Sequence, residues 1–304
     1  MSSSFFNQDI ISVQNLSKDQ IELVLSSAAS LKKYPTYHLL RGKIIASCFF
    51  EASTRTRLSF EAAVYRLGGN VIGFAASENT SLGQKGESLE DTIRMIECYS
   101  DAIIIRHSEV GSAKIAADIS HKPVINAGDG ANQHPTQTLL DLFTIKENFQ
   151  EIDGLTIAVV GDLKYGRTVH SLVRALIHYN VNIVLCAQSG FELPQELCDL
   201  LEKSTINYSI ADSLINAVQS SDIIYMTRCQ KERFSAEDKE TGKLILTAKL
   251  LEEHAKKNAC VMHPLPRVGE IDASVDNTPY AKYFQQAENG LYVRQAILKL
   301  LLCK

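Results

Sequence analysis

The sequence lacks any apolar run approaching the 18 residues that mark a membrane-spanning helix, and it begins without the basic flank and apolar stretch of a secretory signal. It also lacks a basic stripe, since 31 basic residues against 35 acidic ones give a net charge of -4. Nucleic-acid binding needs dense positive charge. We therefore expect a cytoplasmic protein that acts neither on a membrane nor on a nucleic acid.

The 7 cysteines are scattered, and none belongs to a C-x-x-C pair or to a close cluster with histidine. Structural zinc needs such clusters, so we expect no metal ion, and an odd number of free thiols fits a reducing compartment. The chain also lacks the G-x-G-x-x-G of dinucleotide-binding folds. This absence disfavours a dehydrogenase, and we expect no cofactor.

Short β-branched apolar runs alternate with longer helical patterns along nearly the whole chain, which is typical of βα units around parallel sheets. The predicted strands are Lys43–Phe50, Val71–Phe74, Ala102–Arg106, Pro123–Ala127, Leu155–Val160, Asn182–Ala187, Ile223–Thr227 and Cys260–His263. The length is about twice the usual domain length of roughly 150 residues, which favours two domains. We predict an α/β fold in which each domain is a parallel β-sheet flanked by helices.

The polar stretch Gln150–Gly154 is the best candidate for a domain boundary. The prediction is a first domain over 1–150 and a second over 151–284. A C-terminal amphipathic helix, 285–304, is expected to pack back on the first domain.

Ligands of open parallel sheets bind beyond the carboxyl ends of the strands. In this sequence those positions are rich in hydroxyl, guanidinium and imidazole groups and poor in carboxylates, which suits an anion. The sharpest segment is Ser53–Thr56, because backbone N–H groups and the helix dipole favour a phosphate between a strand and a helix. The alternative is that Ser53 or Thr54 only caps the helix, which leaves Arg55 and Arg57 unexplained.

Other strand ends supply Arg106 and His134, each of which, taken alone, is more often a surface charge or a structural histidine. Arg167 and Arg228 follow two later strands. Their planar guanidinium groups can each hold a carboxylate in a bidentate way. The pair fits a dicarboxylic substrate.

The segment Gly161–Thr168 has the spacing of a P-loop, G-x-x-x-x-G-K-[S/T], between a strand and a helix. Arg167 replaces the lysine, and no strand ends in the aspartate that would hold Mg²⁺. A nucleotide switch is therefore a lesser alternative. A binding module without catalytic activity is another.

Two motifs in order, Ser53–Arg57 (S-T-R-T-R) and His134–Gln137 (H-P-T-Q), resemble the paired signatures of the aspartate/ornithine carbamoyltransferases. The resemblance covers essentially the whole chain, including Phe49–Phe60 and Gly161–Ser171. It is closest to the aspartate-specific members of enteric-type bacteria. Ornithine specificity is the nearest alternative.

Two features favour aspartate over ornithine. In His263–Pro266, proline stands where ornithine-specific members carry cysteine, and Arg228 would repel an ammonium group while Gln230 suits a β-carboxylate. The sequence departs from the family at Ser108, where proline is expected, and at Gly269, where an acidic residue is common. These departures concern the shape of two loops.

The resemblance implies transfer of the carbamoyl group of carbamoyl phosphate to the α-amine of L-aspartate, giving N-carbamoyl-L-aspartate and phosphate, an early step of de novo pyrimidine biosynthesis. By resemblance, carbamoyl phosphate would be bound by Ser53, Thr54, Arg55, Thr56, Arg106, His134, Gln137, Pro264 and Leu265. Aspartate would be bound by Lys85, Arg167, Arg228 and Gln230. Catalysis would depend on Arg55, Thr56, Arg106, His134 and Lys85. The departing phosphate could accept the amine proton, so no side-chain base is assigned.

In the family, the residues that match Ser81 and Lys85 enter the active site of a neighbouring subunit, which implies a homotrimer with shared active sites. The polar segment Ser77–Gly86 that carries them is predicted to be a loop. A dodecamer with a zinc-bearing regulatory chain is a further possibility. Domain closure would complete the site. The resemblance also implies an ion-pair set between the domains, formed by Glu51, Arg167 and Arg233.

Overall fold

The computed structural model describes residues 5–231, 234 and 244–304. The chain forms two compact units, Met1–Phe143 with Glu288–Lys304 and Thr144–Ala287. Each unit contains one sheet in which all strand pairs are parallel, with helices beside it. The predicted α/β fold class is confirmed. No helix in this described part of the chain combines the length and apolarity needed to cross a membrane.

The first unit has a four-stranded sheet in the order β2-β1-β3-β4. Its strands are β1 Ile44–Phe49, β2 Asn70–Phe74, β3 Ala102–His107 and β4 Val124–Asp129. Its helices include α1 Lys18–Lys33, α2 Thr54–Arg66, α3 Ser81–Lys85, α4 Leu89–Glu97 and α5 Ser112–Ile119. Two longer helices, α6 Pro135–Phe149 and α11 Tyr283–Leu302, contribute residues to both units.

Burial explains why the strands of the first unit read as apolar runs. The first four residues of β3 are all buried, because helices cover both faces of a parallel sheet. Apolar side chains of α4 and α5, such as Ile93 and Ala116, join Ile103 and Ile105 in one core cluster. The sheet is thereby fixed, and with it the positions where its strands end.

The order of the strands in the first unit creates a crevice. The chain passes from β1 to β2 on one side and then crosses to β3 on the other side of β1. The connections after β1 and β3 therefore leave in opposite directions, and ligands of such sheets bind in the gap between them. Ser53–Thr56 lie in the segment that follows β1, and Arg106 is the next-to-last residue of β3.

The second unit has a five-stranded sheet in the order β7-β6-β5-β8-β9. Its strands are β5 Thr156–Gly161, β6 Asn182–Ala187, β7 Asn207–Ile210, β8 Ile223–Met226 and β9 Cys260–Met262. Its helices include α7 Arg167–Leu176, α8 Gln195–Lys203, α9 Leu214–Ser220 and α10 Ala248–His254. The same reversal of direction occurs between β5 and β8, so a second crevice opens after Gly161 and Met226.

Two elements differ from the sequence-based expectation. The segment predicted to be a loop, Ser77–Gly86, contains the short helix α3, which Thr80 caps by accepting a hydrogen bond from Gly83 N at 3.2 Å. Strand β7 was not predicted, because its four residues N-Y-S-I are too few and too polar to show a period.

Gly161 makes the second crevice possible, because it has φ of +122° and an added Cβ would lie 2.3 Å from Thr227 O. We expect Gly161→Ala to destabilise the fold by about 1–3 kcal/mol beyond the cost of its backbone conformation. Gly190 is the matched control, since it has φ of +87° and nothing within 4 Å of an added Cβ. Urea unfolding of both alanine variants measures the difference, and equal unfolding midpoints would contradict the steric argument.

Candidate active site

The turn from β1 into α2 presents a helix N-terminus with unused capping groups. Ser53 occupies the N-cap position with extended backbone, yet its side chain makes no capping hydrogen bond. Thr56 is buried, whereas Thr54 and Arg55 are exposed. Because the Ser53 hydroxyl is not used for capping, that hydroxyl and the first N–H groups of α2 can donate hydrogen bonds to an anion.

Arg106 lies at the end of β3, directly beside the end of β1, where its backbone pairs with Phe49. Its guanidinium group contacts Glu51 Oε2 at 3.1 Å and donates to Ala127 O at 3.3 Å. The side chain is only 11% exposed, so the charge faces inward at the switch point of the sheet. A bound anion at this place would share the guanidinium group with Glu51.

His134 follows a turn that is held in place by hydrogen bonds to Asp129. The buried Asp129 carboxylate accepts hydrogen bonds from Gln133 N at 3.0 Å and from Asn132 Nδ2 at 2.9 Å, and a further one from Gly111 N at 3.0 Å. His134 follows at once, buried and just before the first residue of α6. Asp129 was not identified from the sequence.

Gln137 lies one turn further along α6 and is oriented by Asp141. Gln137 Nε2 donates to Asp141 Oδ1 at 2.8 Å. A carboxylate only accepts hydrogen bonds, so the amide oxygen of Gln137 is turned away from Asp141 and can accept from a ligand. The i, i+4 spacing was the signal in the sequence that could have revealed this pair.

The charge of Asp141 is balanced by Arg294 from α11. Arg294 is 3% exposed and its guanidinium carbon lies 4.9 Å from the centre of the Phe60 ring. Burial lowers the pKa of Arg294 to about 9, while the negative charge of Asp141 favours the protonated form. The C-terminal helix thus places a buried positive charge near the carboxylate that orients Gln137, and this was not predicted from the sequence.

In the second unit, Asp162 joins the loop after β5 to the loop after β8. Its Oδ1 accepts from Tyr165 N and its Oδ2 accepts from Gln230 N, both at 2.9 Å. Arg228 donates to Cys229 O at 3.1 Å and to Gln230 Oε1 at 3.3 Å. The structure therefore brings Arg228 and Gln230 together at one loop.

A cavity of about 210 Å³ lies at this switch point. The described residues that line it are Gly161, Asp162, Gln188, Thr227, Arg228, Cys229, Lys231, Leu244, Val268 and Glu270. Thr227 Oγ1 is buried and has no hydrogen-bond partner among the residues that the structure describes, so it is available to a ligand. Arg167, which is 8% exposed, is the first residue of α7 in the same unit.

The turn after β9 is held by a chain of hydrogen bonds. His263 Nδ1 accepts from Leu265 N at 2.7 Å, and His263 Nε2 lies 2.6 Å from Glu270 Oε1. Glu270 Oε2 accepts from Val268 N at 2.9 Å, and Gln286 Oε1 accepts from His263 N at 2.8 Å. Burial raises the pKa of Glu270, but the hydrogen bonds from His263 and Val268 act in the opposite direction, and the pKa is lowered overall.

Ser81 and Lys85 lie at the two ends of the short helix α3, and both are exposed. Within residues 5–231, 234 and 244–304, Lys85 forms no ion pair. Arg233, expected in an ion-pair set, lies outside the described residues. Across the part of the chain that is described, no three His, Cys, Asp or Glu side chains gather as metal ligands would.

Each half of the chain matches a model of one protein family. Residues 8–147 match the aspartate/ornithine carbamoyltransferase, carbamoyl-P binding domain, and residues 153–301 match the Asp/Orn binding domain. The aspartate carbamoyltransferase catalytic subunit of Aliivibrio fischeri (strain MJ11) is 52% identical over 306 residues, which cover 99% of both chains.

Solved structures give the same result. The aspartate transcarbamoylase of Trypanosoma cruzi in complex with carbamoyl phosphate and aspartate has a TM-score of 0.93 and 36% identity, covering 99% of both chains. The same enzyme in complex with carbamoyl aspartate and phosphate has a TM-score of 0.92 and 36% identity, covering 99% of this chain and 98% of that one. The resemblance found in the sequence is confirmed, and the chain belongs to the aspartate/ornithine carbamoyltransferase family.

Proposed function

We propose that the chain transfers the carbamoyl group of carbamoyl phosphate to the α-amine of L-aspartate, giving N-carbamoyl-L-aspartate and phosphate for pyrimidine biosynthesis. The observation that carries this proposal is that each parallel sheet has cationic and hydrogen-bonding groups at its switch point. The chain thus has one anion site in each unit. The Trypanosoma cruzi enzyme, which is similar over its full length, is seen with carbamoyl phosphate and aspartate.

In this proposal the domain over 1–150, with the helix 285–304, binds carbamoyl phosphate. The phosphate group accepts hydrogen bonds from the α2 N-terminus and from Ser53, Thr54, Arg55 and Thr56. Arg106 contacts both the phosphate and the carbonyl oxygen. The support is the position of these groups around the ends of β1 and β3, where an anion gains most from the helix dipole.

Attack by the amine builds negative charge on the carbonyl oxygen, and we assign its stabilisation to Arg106, Thr56 and His134. Donors held in place before the reaction commonly supply roughly 3–4 kcal/mol each in a site sheltered from water. His134 and Thr56 are both buried, which favours such strong interactions. Lys85 supplies a further positive charge for catalysis and for the aspartate.

Gln137 distinguishes the carbamoyl group from other acyl groups in this proposal. Its amide nitrogen is occupied by Asp141, so its oxygen is the group that can accept a hydrogen bond from the carbamoyl NH₂. An acyl phosphate with a methyl group in place of the NH₂ would leave that oxygen without a donor. Pro264 and Leu265 complete the set of residues around the carbamoyl phosphate.

The domain over 151–284 binds aspartate. Arg167 holds the α-carboxylate, while Arg228 and Gln230 hold the β-carboxylate. The support is the link from Asp162 to the backbone of Gln230, which fixes the loop that carries both β-carboxylate ligands. Orientation of the neutral amine towards the carbonyl carbon supplies most of the acceleration. The departing phosphate accepts the amine proton, so the reaction needs no side-chain base.

The active unit is a homotrimer in this proposal, with Ser81 and Lys85 entering the site of a neighbouring subunit. The exposed position of α3 and the lack of an ion pair for Lys85 within the described residues support this role. The dodecamer with a zinc-bearing regulatory chain, and the cytoplasmic location, stay predictions.

The function is tested by assaying product formation from carbamoyl phosphate with aspartate and with ornithine. We expect turnover with aspartate and none with ornithine, since Arg228 and Lys231 in the cavity repel an ammonium group. Preference for ornithine would assign the chain to the other branch of the family. Tight nucleotide binding by calorimetry without carbamoyl transfer would favour the P-loop alternative, and no turnover at all would favour a binding module.

Replacing Arg228 should separate the two substrates. Loss of charge-assisted hydrogen bonds of about 1.5–3 kcal/mol should lower kcat/KM for aspartate by about 10- to 100-fold or more in Arg228→Ala. The dissociation constant of carbamoyl phosphate should stay within about twofold, because its ligands lie mainly in the other unit. Arg174→Ala is the matched control, since Arg174 pairs with the exposed Glu196. Equal loss of affinity for both substrates would contradict the assignment.

Sharing of active sites is tested by mixing two inactive variants. Lys85→Ala and Arg55→Ala trimers should each be defective in every site, but a hybrid site can combine the intact Arg55 of one chain with the intact Lys85 of the other. A trimer with two-to-one composition should contain about one complete site of its three. Subunits are exchanged by reversible dissociation after both variants are shown to be folded and trimeric.

Activity of the exchanged mixture well above the sum of the parents is the expected result. The control repeats the exchange with Arg57→Ala and Lys85→Ala, because Arg57 pairs with Glu61 at 2.7 Å and has no assigned ligand. The activity of that mixture should equal the sum of its two parents, which is the activity that the Arg57→Ala chains contribute, with no gain from complementation. Strictly additive activity in verified Arg55/Lys85 hybrids would place Lys85 in its own subunit or outside the chemistry.

A further inference from the structure

We propose that His263 and Glu270 form a positioning pair that fixes the turn Pro264–Pro266, so that the Leu265 carbonyl oxygen accepts a hydrogen bond from the aspartate amine. This inference rests on the proposed function, in which Leu265 lies against the reacting groups. The pair acts through the backbone of Leu265 and does not contact the substrate itself. From the sequence, neither His263 nor Glu270 was expected to cap a helix or to bind a ligand.

The hydrogen bonds of His263 define its protonation state. Leu265 N can only donate, and it lies 2.7 Å from His263 Nδ1, so Nδ1 carries no proton. The proton of the neutral ring is then on Nε2, which donates to Glu270 Oε1 at 2.6 Å. One carboxylate thus selects the tautomer, and the tautomer in turn holds the backbone N–H of Leu265. The ring is 1% exposed, which shields the arrangement from water.

Leu265 needs such support because of its backbone conformation. Its φ is +56°, a left-handed value that a branched side chain such as leucine rarely adopts. Conformations of this kind persist only where the surroundings hold them, and they are common at functional sites. The hydrogen bond from Leu265 N to His263 Nδ1 is a contact that fixes the peptide plane at this residue, and with it the direction of the turn.

Glu270 is a carboxylate in the cavity assigned to a dicarboxylic substrate, where a negative charge would ordinarily weaken binding. Both of its oxygens are engaged, Oε1 by His263 and Oε2 by Val268 N at 2.9 Å. A glutamine at this position can present only one oxygen, so either the His263 N–H or the Val268 N–H loses its acceptor. The need for two acceptors on one side chain therefore explains why a glutamate stands inside an anion site.

Two substitutions of His263 test its hydrogen bonds to Leu265 N and to Glu270 separately. In His263→Asn, the amide oxygen stands at the place of Nδ1 and can still accept from Leu265 N, while the link to Glu270 is lost. In His263→Gln, the longer side chain reaches the place of Nε2 and keeps the link to Glu270, while Leu265 N loses its acceptor. The two variants differ by one methylene group, so each is the control for the other.

We expect His263→Gln to lower kcat/KM for aspartate by roughly tenfold or more, with loss in kcat, and His263→Asn to lower it by roughly threefold or less. In both variants the dissociation constant of carbamoyl phosphate, measured by calorimetry, should stay within about twofold. Equal losses in the two variants would overturn the proposal. So would damage to carbamoyl phosphate binding as large as the damage to aspartate use.

A second variant covers the case in which both His263 substitutions fail to fold. Glu270→Ala removes both acceptors, so that nothing selects the His263 tautomer, and we expect the same roughly tenfold loss in kcat/KM for aspartate with unchanged carbamoyl phosphate binding. His254→Asn and His254→Gln are the controls for the two His263 substitutions. His254 lies in the same unit and is also hydrogen-bonded, with its Nδ1 at 3.1 Å from Gln219 Nε2. Kinetics of the original protein in Glu270→Ala would overturn the proposal.

The tautomer is measured without reference to activity, which separates failure of this inference from failure of the proposed function. Nuclear magnetic resonance of protein labelled with ¹⁵N-histidine, with the His263 signals assigned by their loss in a His263 variant, should show an unprotonated Nδ1 and a protonated Nε2. A charged ring or the opposite tautomer would overturn the positioning pair even in an active enzyme. The expected tautomer in a protein that transfers nothing to aspartate would overturn the proposed function alone.

Discussion

The arrangement of both half-sites depends on one constraint, the reversal of strand order in a parallel sheet. In each sheet the chain leaves its first strand, here β1 or β5, to one side and later returns to the other. The two connections diverge, and helix N-termini and strand ends are left around an open gap. No single side chain makes this gap. In the second unit Gly161 allows the two strand ends to lie side by side at the gap, because any Cβ at this position would collide with the Thr227 carbonyl oxygen.

The second feature common to the sites is that the carboxylates of their described residues are already engaged. Asp162 is used by two backbone N–H groups, Glu270 by His263 and a backbone N–H, and Asp141 by Gln137 beside a buried arginine. Glu51 is paired with Arg106. Acidic residues in an anion site usually repel the ligand, but here they hold loops and amide groups in position. Positive charge on arginine and lysine side chains then faces the ligand.

Much of the fold was readable from the sequence, because parallel strands buried on both faces give apolar runs such as the one in β3. The short polar strand β7 and the helix α3 were not, since four or five residues carry no usable period. The site motifs Ser53–Thr56 and His134–Gln137 were found because strand ends could be located. Asp141 is different, since Arg294, the buried positive charge near it, comes from the far end of the chain and no local pattern connects the two residues.

The engagement of Asp162 and Glu270 also explains how the cavity that they line can discriminate against a cationic substrate. An ornithine side chain would need a carboxylate partner, and among the described residues the acids that line the cavity are Asp162 and Glu270. Freeing Asp162 would release the backbone of Gln230, and freeing Glu270 would release His263 and the turn beyond it. Each of these changes removes the acceptor of two hydrogen bonds, of which those from Tyr165 N, Gln230 N and His263 are partly buried, and a donor left without an acceptor in such a place carries a free-energy penalty. Selectivity for a dicarboxylate therefore follows from how the acids are engaged as much as from the presence of Arg228.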